Sequence, residues 1–224
     1  MNLLVNFVKD LWATPVFRNL FWNVVVAILF VAFRIWYTTS NAYSMLLWNL
    51  FLALIPYGVS QWLQLRPALA SNKALFVFFF AVWLAFVPNT FYLATDMYHL
   101  GEVSGISLWY DLIMLILFAW IGIYVGFVSM LQMESLTICY WGQFWKRAFM
   151  PIMIVLNAIG IYLGRVLRFN SWDVIHEPMQ LVVALLDLFN HPLQHKSAWV
   201  LIAGFSVFIG LVYKSIRTSS VFQK

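Results

Sequence analysis

Six apolar runs, each close to the length of one membrane crossing and joined by short polar connections, dictate what this chain folds into. A helical crossing takes roughly 20 apolar residues, and the runs at 19–37, 43–65, 74–93, 108–131, 148–167 and 198–213 reach or approach that length. Inside hydrocarbon every backbone N–H and C=O must be satisfied within the protein, which leaves helices as the structure for runs of this kind. The expectation is an all-α polytopic transmembrane bundle of six spans. Composition excludes the alternative: 64% of the residues are hydrophobic and only 9% charged, whereas a soluble domain carries about 25% charged residues.

What lies outside the six runs is short. Residues 1–14 place Leu3, Leu4, Phe7, Val8, Leu11 and Trp12 on one helical face and Asn2, Asn6, Lys9 and Asp10 on the other, ahead of Pro15. This is the pattern of an interfacial amphipathic helix. The division expected is therefore an interfacial helix over 1–17 and a single bundle domain over 18–224. A secretory leader is the competing reading of the first run, but Arg34 interrupts it and Ser40-Asn41-Ala42 is a poor cleavage site, which favours a retained span. The apolar stretch 179–189, bounded by Pro178 and by Asn190, His191 and Pro192, is too short to cross, so it predicts a short re-entrant or interfacial helix on the outer side.

Lys and Arg set the orientation. With a cytoplasmic N-terminus, nine of the 13 basic residues (Lys9, Arg18, Arg66, Lys73, Lys146, Arg147, Lys214, Arg217 and Lys224) fall inside, and both termini are cytoplasmic. A seventh span would abolish that bias. Basic residues that occur singly or in pairs beside apolar runs are topogenic, so no nucleic-acid partner is expected. The single Cys139 excludes an intrachain disulfide and an all-cysteine metal or iron–sulfur site. No lysine lies deep enough in a span to carry retinal, and no pair of histidines lies at depth to ligate haem. Nucleotide-binding loops, serine-hydrolase elbows and HExxH are absent.

In that topology six of the eight acids and all four histidines fall at or beyond the outer ends of spans. Ionisable groups at such positions are expensive and mark a site. In FVPNTFYLATDMYHL, Pro88 frees a carbonyl one turn back, and Asn89, Tyr92, Asp96 and His99 recur on one helical face. Opening the next run, Asp111 shares a face with Gly122, Gly126 and Ser129, small residues that let helices approach closely. Asn157, Gly160, Gly164 and Arg168 form a stripe on the fifth run with Arg165 at its edge, which predicts that one or both guanidiniums meet Asp111 and Asp96. Each of these residues also has a plainer role. The amide satisfies freed backbone, the acids and arginines lock helices together or snorkel to headgroups, and Asp173 caps the outer helix.

The stretches around Pro88-Asn89, Tyr92, Thr95-Asp96, Trp109-Tyr110-Asp111, Gly164-Arg165 and Arg168 with Asn170-Ser171-Trp172-Asp173 resemble the hallmark segments of a bacterial integral-membrane family classed as a domain of unknown function. The likeness extends over roughly residues 40–213. It implies a bacterial inner-membrane protein and brings no activity with it.

Three functions suit the residues. An outward-facing pocket could bind or modify a lipid-linked or anionic amphiphile, with Asp96, His99, Asp111, Arg165 and Arg168 as catalytic candidates and Asn89, Tyr92, Asn170, Trp172 and Asp173 as substrate contacts. A divalent metal held by Asp96, His99 and Asp111 is a further option, although the spacing matches no strong signature. The other two classes are a small-solute or ion transporter and a membrane assembly or scaffold protein. Membrane lipid is the expected partner; the residues carry no reading of oligomeric state.

Overall fold

The computed structural model describes residues 9–101 and 105–218. Among these residues there is no strand, and six helical segments are long and apolar enough to cross a bilayer: Pro15–Thr38, Met45–Leu65, Lys73–His99, Leu108–Trp141, Trp145–Arg165 and Lys196–Thr218. The protein is an all-α polytopic bundle. Consecutive spans run up and down, so the starts of the first, third and fifth share a face with the ends of the second, fourth and sixth. The N-terminal amphipathic segment lies largely outside the described residues. Residues 9–13 are helical and end at Thr14, whose hydroxyl donates to the Leu11 carbonyl before Pro15 opens the first span.

The third span is two helices in series. Asn72 caps the first, Lys73–Phe86, by accepting from the backbone N–H groups of Ala74 and Leu75. Val87 N–H still donates to the Trp83 carbonyl at 2.9 Å, and the ladder breaks at Pro88, which begins Pro88–Thr95 in the one helical position where its missing N–H costs nothing. A 3₁₀ turn, Asp96–His99, ends the span.

Glycines let this outer half-helix sink between its neighbours. A Cβ on Gly122 would stand 2.2 Å from the Thr90 carbonyl oxygen, and one on Gly160 would stand 2.4 Å from Pro88 Cγ. The stripes of small residues on the fourth and fifth spans are therefore contact faces, as their spacing predicts. The fourth helix is longer than its apolar run, continuing to Trp141, and it forms the centre of the bundle. Its residues Met114, Leu115 and Phe118 pack with Val31, Leu46 and Leu50, while Phe127, Met130 and Met133 pack with Phe76, Trp83 and Phe149.

Several polar side chains inside the bundle satisfy one another, as hydrocarbon favours. Trp83 Nε1 donates to Ser129 Oγ at 2.6 Å, Ser60 to Gln132 Oε1 at 2.7 Å, and Gln132 Nε2 to Gln61 Oε1 at 2.6 Å. At one face Arg217 pairs with the buried carboxylate of Glu134 at 3.1 Å. At the other, Asp111 lies about 23 positions earlier on the same helix, roughly 34 Å away and close to the ~30 Å of a hydrocarbon core.

Between the fifth and sixth spans the chain stays at the Asp111 face. The helix Pro178–Asn190 measures about 20 Å, too short to cross, in keeping with the interfacial or re-entrant element expected. Leu188 anchors it against Ala158, Tyr162, Ala198 and Ile202. Beyond it, Asp187 accepts from His191 Nδ1 at 2.9 Å and His195 Nε2 at 2.8 Å, closing the link to the sixth span.

Candidate functional site

The ionisable residues of the Asp111 face form two clusters. In the first, Arg34 Nε and Nη2 donate to the two carboxylate oxygens of Asp111 at 2.7 and 3.1 Å. Both side chains are essentially shut off from solvent, at 0% and 2% exposure, so this is a bidentate ion pair inside the bundle. The guanidinium carbon lies 4.2 Å from the centre of the Tyr43 ring, and the Tyr43 hydroxyl donates to the His99 carbonyl at 2.8 Å. Arg34 thus ties the first span to the fourth beneath an aromatic lid.

Asp96 anchors the second cluster, where it too is buried. Asn49 Nδ2 donates to one carboxylate oxygen at 3.0 Å and Arg165 Nη1 to the other at 3.3 Å. The Arg165 Nη1 group also meets the Tyr92 hydroxyl at 3.1 Å, and Nη2 donates to the Thr95 carbonyl at 2.5 Å. Second, third and fifth spans meet here. The site residues on the third span follow the expected face: Tyr92 and Asp96 reach Arg165, while Asn89, one turn earlier, donates to the Phe86 carbonyl at 2.9 Å and to Ser171 Oγ at 2.7 Å. His99 sits at the end of that span, partly exposed, with its carbonyl taken by Tyr43.

Two expectations are overturned. Asp111 was expected to take its partner from the fifth span, but its cation is Arg34 on the first. The helical face of Asp111 is as the sequence suggests; which helix faces it is a matter of bundle order, which periodicity does not encode. Arg168 was expected to continue the stripe of Asn157, Gly160 and Gly164. The fifth helix instead ends at Arg165, Phe169 N–H turns back to the Leu163 carbonyl at 3.0 Å, and Arg168 takes a left-handed φ of 61° with its side chain exposed. It makes no ion pair among the described residues.

Two of the three candidate metal ligands have other partners. Asp96 and Asp111 are engaged by different arginines, and among the described residues no group of three His, Cys, Asp or Glu is placed to hold an ion.

Beside the second cluster a cleft of about 590 Å³ opens between the second, third and fifth spans and the short outer helix. Asn49, Asn89, Tyr92, Asn170 and Ser171 gather at its polar end, and Leu156, Ile159, Leu181, Leu185 and Phe189 line the rest. Trp172, next in the chain to Ser171, lies 6.1 Å between ring centres from Trp48, which lines the cleft. Asp173 accepts from the Asn170 backbone N–H at 2.6 Å, which holds the loop that carries Asn170 and Ser171. Arg34, Asn49 and Ser171 were not assigned to the site from the sequence, although Ser171 falls within one of the hallmark segments of the family resemblance. For the first two the signal was present, since a polar residue inside an apolar run marks an interior contact by default.

A family described as a protein of unknown function, DUF1361, matches residues 48–212. The chain belongs to that family. All of the cleft's lining and both carboxylates fall inside the DUF1361 match, whereas Arg34 lies before it. Comparison with curated proteins and with solved structures gave no match. The DUF1361 chain is thus a multi-pass membrane protein whose family carries no activity to it.

Proposed function

We propose that the protein binds a lipid-linked or anionic amphiphile in the cleft beside Asp96, its head among Asn89, Tyr92, Asn170 and Ser171 and its chain along Leu156, Ile159 and Leu185. One observation carries the reading: the cleft is polar at one end only and apolar elsewhere, the profile of a molecule that is itself polar at one end. Arg168, exposed in the adjoining loop and without an ion-pair partner among the described residues, supplies a free positive charge for an anionic head. Asp96 and Asp111 are buried and fully engaged by arginines and Asn49, which favours positioning over proton transfer as their task. Interior polar groups consumed by mutual hydrogen bonds favour binding over transport for the same reason.

The basic-residue bias supports placing the Glu134 face in the cytoplasm of a bacterial inner membrane, with both termini there and the cleft in the outer leaflet. The six spans then act as one bundle, with the helix over residues 9–13 at the inner surface ahead of the first span.

The test is lipid content. Full-length protein extracted from its membrane into detergent, then analysed by native mass spectrometry, should retain an amphiphile; Leu185→Trp, which fills the cleft, should lose it. Arg168→Gln should lower retention of anionic species selectively. Equal retention in wild type and Leu185→Trp, with both folded, would overturn the reading.

A further inference from the structure

The larger opening of the molecule lies toward the opposite face. A groove of about 1130 Å³ runs between the first, second and third spans, walled by Phe21, Leu54, Gly58 and Phe79 and ending at Arg66. From Arg66 to Leu54 it follows about 12 residues of helix, some 18 Å, close to half of the ~30 Å hydrocarbon thickness. It is one leaflet deep. Its polar end is cationic: Arg66 lines it, Arg18 follows the lining residue Phe17 on the first span, Lys9 lies two residues before the lining residue Leu11 in the helix ahead of that span, and none of the three has an acidic partner among the described residues. On the wall the Tyr57 hydroxyl is buried beside Thr14.

Length, polarity and charge agree on an occupant. We infer that this groove is a binding site for an anionic phospholipid of the leaflet on the Arg66 side, its phosphate at Arg66 and an acyl chain lying in the groove past Gly58. The site is separate from the cleft beside Asp96, made by different residues at the other face. Gly58 is the structural reason a chain fits: a Cβ there meets nothing within 4 Å, so the groove floor is open. Juxtamembrane cations attract anionic lipid by about 1 kcal/mol each, close to fivefold in affinity.

The experiment uses the full chain in nanodiscs of mixed phosphatidylglycerol and phosphatidylethanolamine, with bound lipid read by native mass spectrometry after release into detergent. Wild type should hold phosphatidylglycerol in preference to phosphatidylethanolamine. Arg66→Gln should lower that preference about fivefold, and Gly58→Trp, which fills open space, should abolish retention at this site while circular dichroism and elution volume stay native. Leu185→Trp should leave it unchanged, which separates this site from the outer cleft. Retention of phosphatidylglycerol by folded Gly58→Trp at the wild-type level, no preference in wild type, or a groove closed by self-association that Gly58→Trp disrupts would each overturn the inference.

Discussion

Replacing Arg34 by Met removes one half of an ion pair whose two side chains have 0% and 2% exposure. The carboxyl group of Asp111 is then left inside the bundle without its cation and with two hydrogen bonds gone, those now at 2.7 and 3.1 Å. Stranding a buried charge costs about 3–5 kcal/mol. Asp111 sits in the first turn of the fourth helix, where the helix dipole returns up to ~2 kcal/mol to a partly buried acid, so Arg34→Met belongs at the lower end of that range. Asp111→Leu strands the guanidinium instead. The Tyr43 ring face at 4.2 Å remains, but Nε and Nη2 lose the acceptors they had and Nη1 already has none among the described residues, which places this variant at the upper end. The double variant, Arg34→Met with Asp111→Leu, leaves no charge behind and should be more stable than either single one. Denaturation of the detergent-solubilised protein by graded SDS, followed by circular dichroism, measures all four members of the cycle. If the losses simply add, with the double variant the least stable, the two residues do not act as a pair and the account of the first cluster is wrong.

Two other perturbations follow from the geometry. Gly160→Ala drives a methyl into the Pro88 ring and Gly122→Ala drives one into the Thr90 carbonyl, so each should cost about 1–3 kcal/mol in the same denaturation assay; Gly58→Ala, facing open space, should cost nothing, and equal behaviour of all three would contradict the packing described. Hydrogen bonds from His195 and His191 hold the Asp187 carboxyl below the usual carboxylate range. Its folded pKa is thus below the unfolded one, so its stabilising effect is complete above the ordinary value near 4 and is lost as pH falls through the depressed one. Amide exchange in the helix Pro178–Asn190 should rise over that acid window, and Asp187→Asn should show the raised rate already at pH 7; a flat profile in both proteins would show that the histidines do not tether the helix.

The spans, the proline break and the glycine contact faces were legible in the sequence because each is a local property. Apolar length marks a crossing, Pro88 removes a donor, and a periodic run of small residues marks a face wherever the helix lies. Partner choice was not legible in the same way. Asp111 could be assigned a face, but Arg34 became its partner only because the first span packs against the fourth. Arg34 reads along the chain as a flaw in an apolar run, and a buried arginine there needed an acid from elsewhere; the requirement was visible, its answer was not. Arg168 illustrates a second limit, since a periodic stripe holds only as far as the helix does, and this helix stops three residues short. Of the cleft, Asn89, Tyr92 and Asn170 were foreseeable; Asn49 was visible as a polar residue inside an apolar run, but its place beside Asp96, like that of Ser171 beside Asn89, comes from tertiary packing.

The fourth helix carries an engaged acid near each boundary, Asp111 and Glu134, held by Arg34 and Arg217. Such a helix works as a caliper on its surroundings. A bilayer much thicker than the interval between those acids drags ion pairs into hydrocarbon, and the bundle responds by pinching the lipid around it, since tilting shortens the interval further and would worsen the fit. The bundle should therefore be least strained in a bilayer whose hydrocarbon core is close to the interval between the two carboxylates.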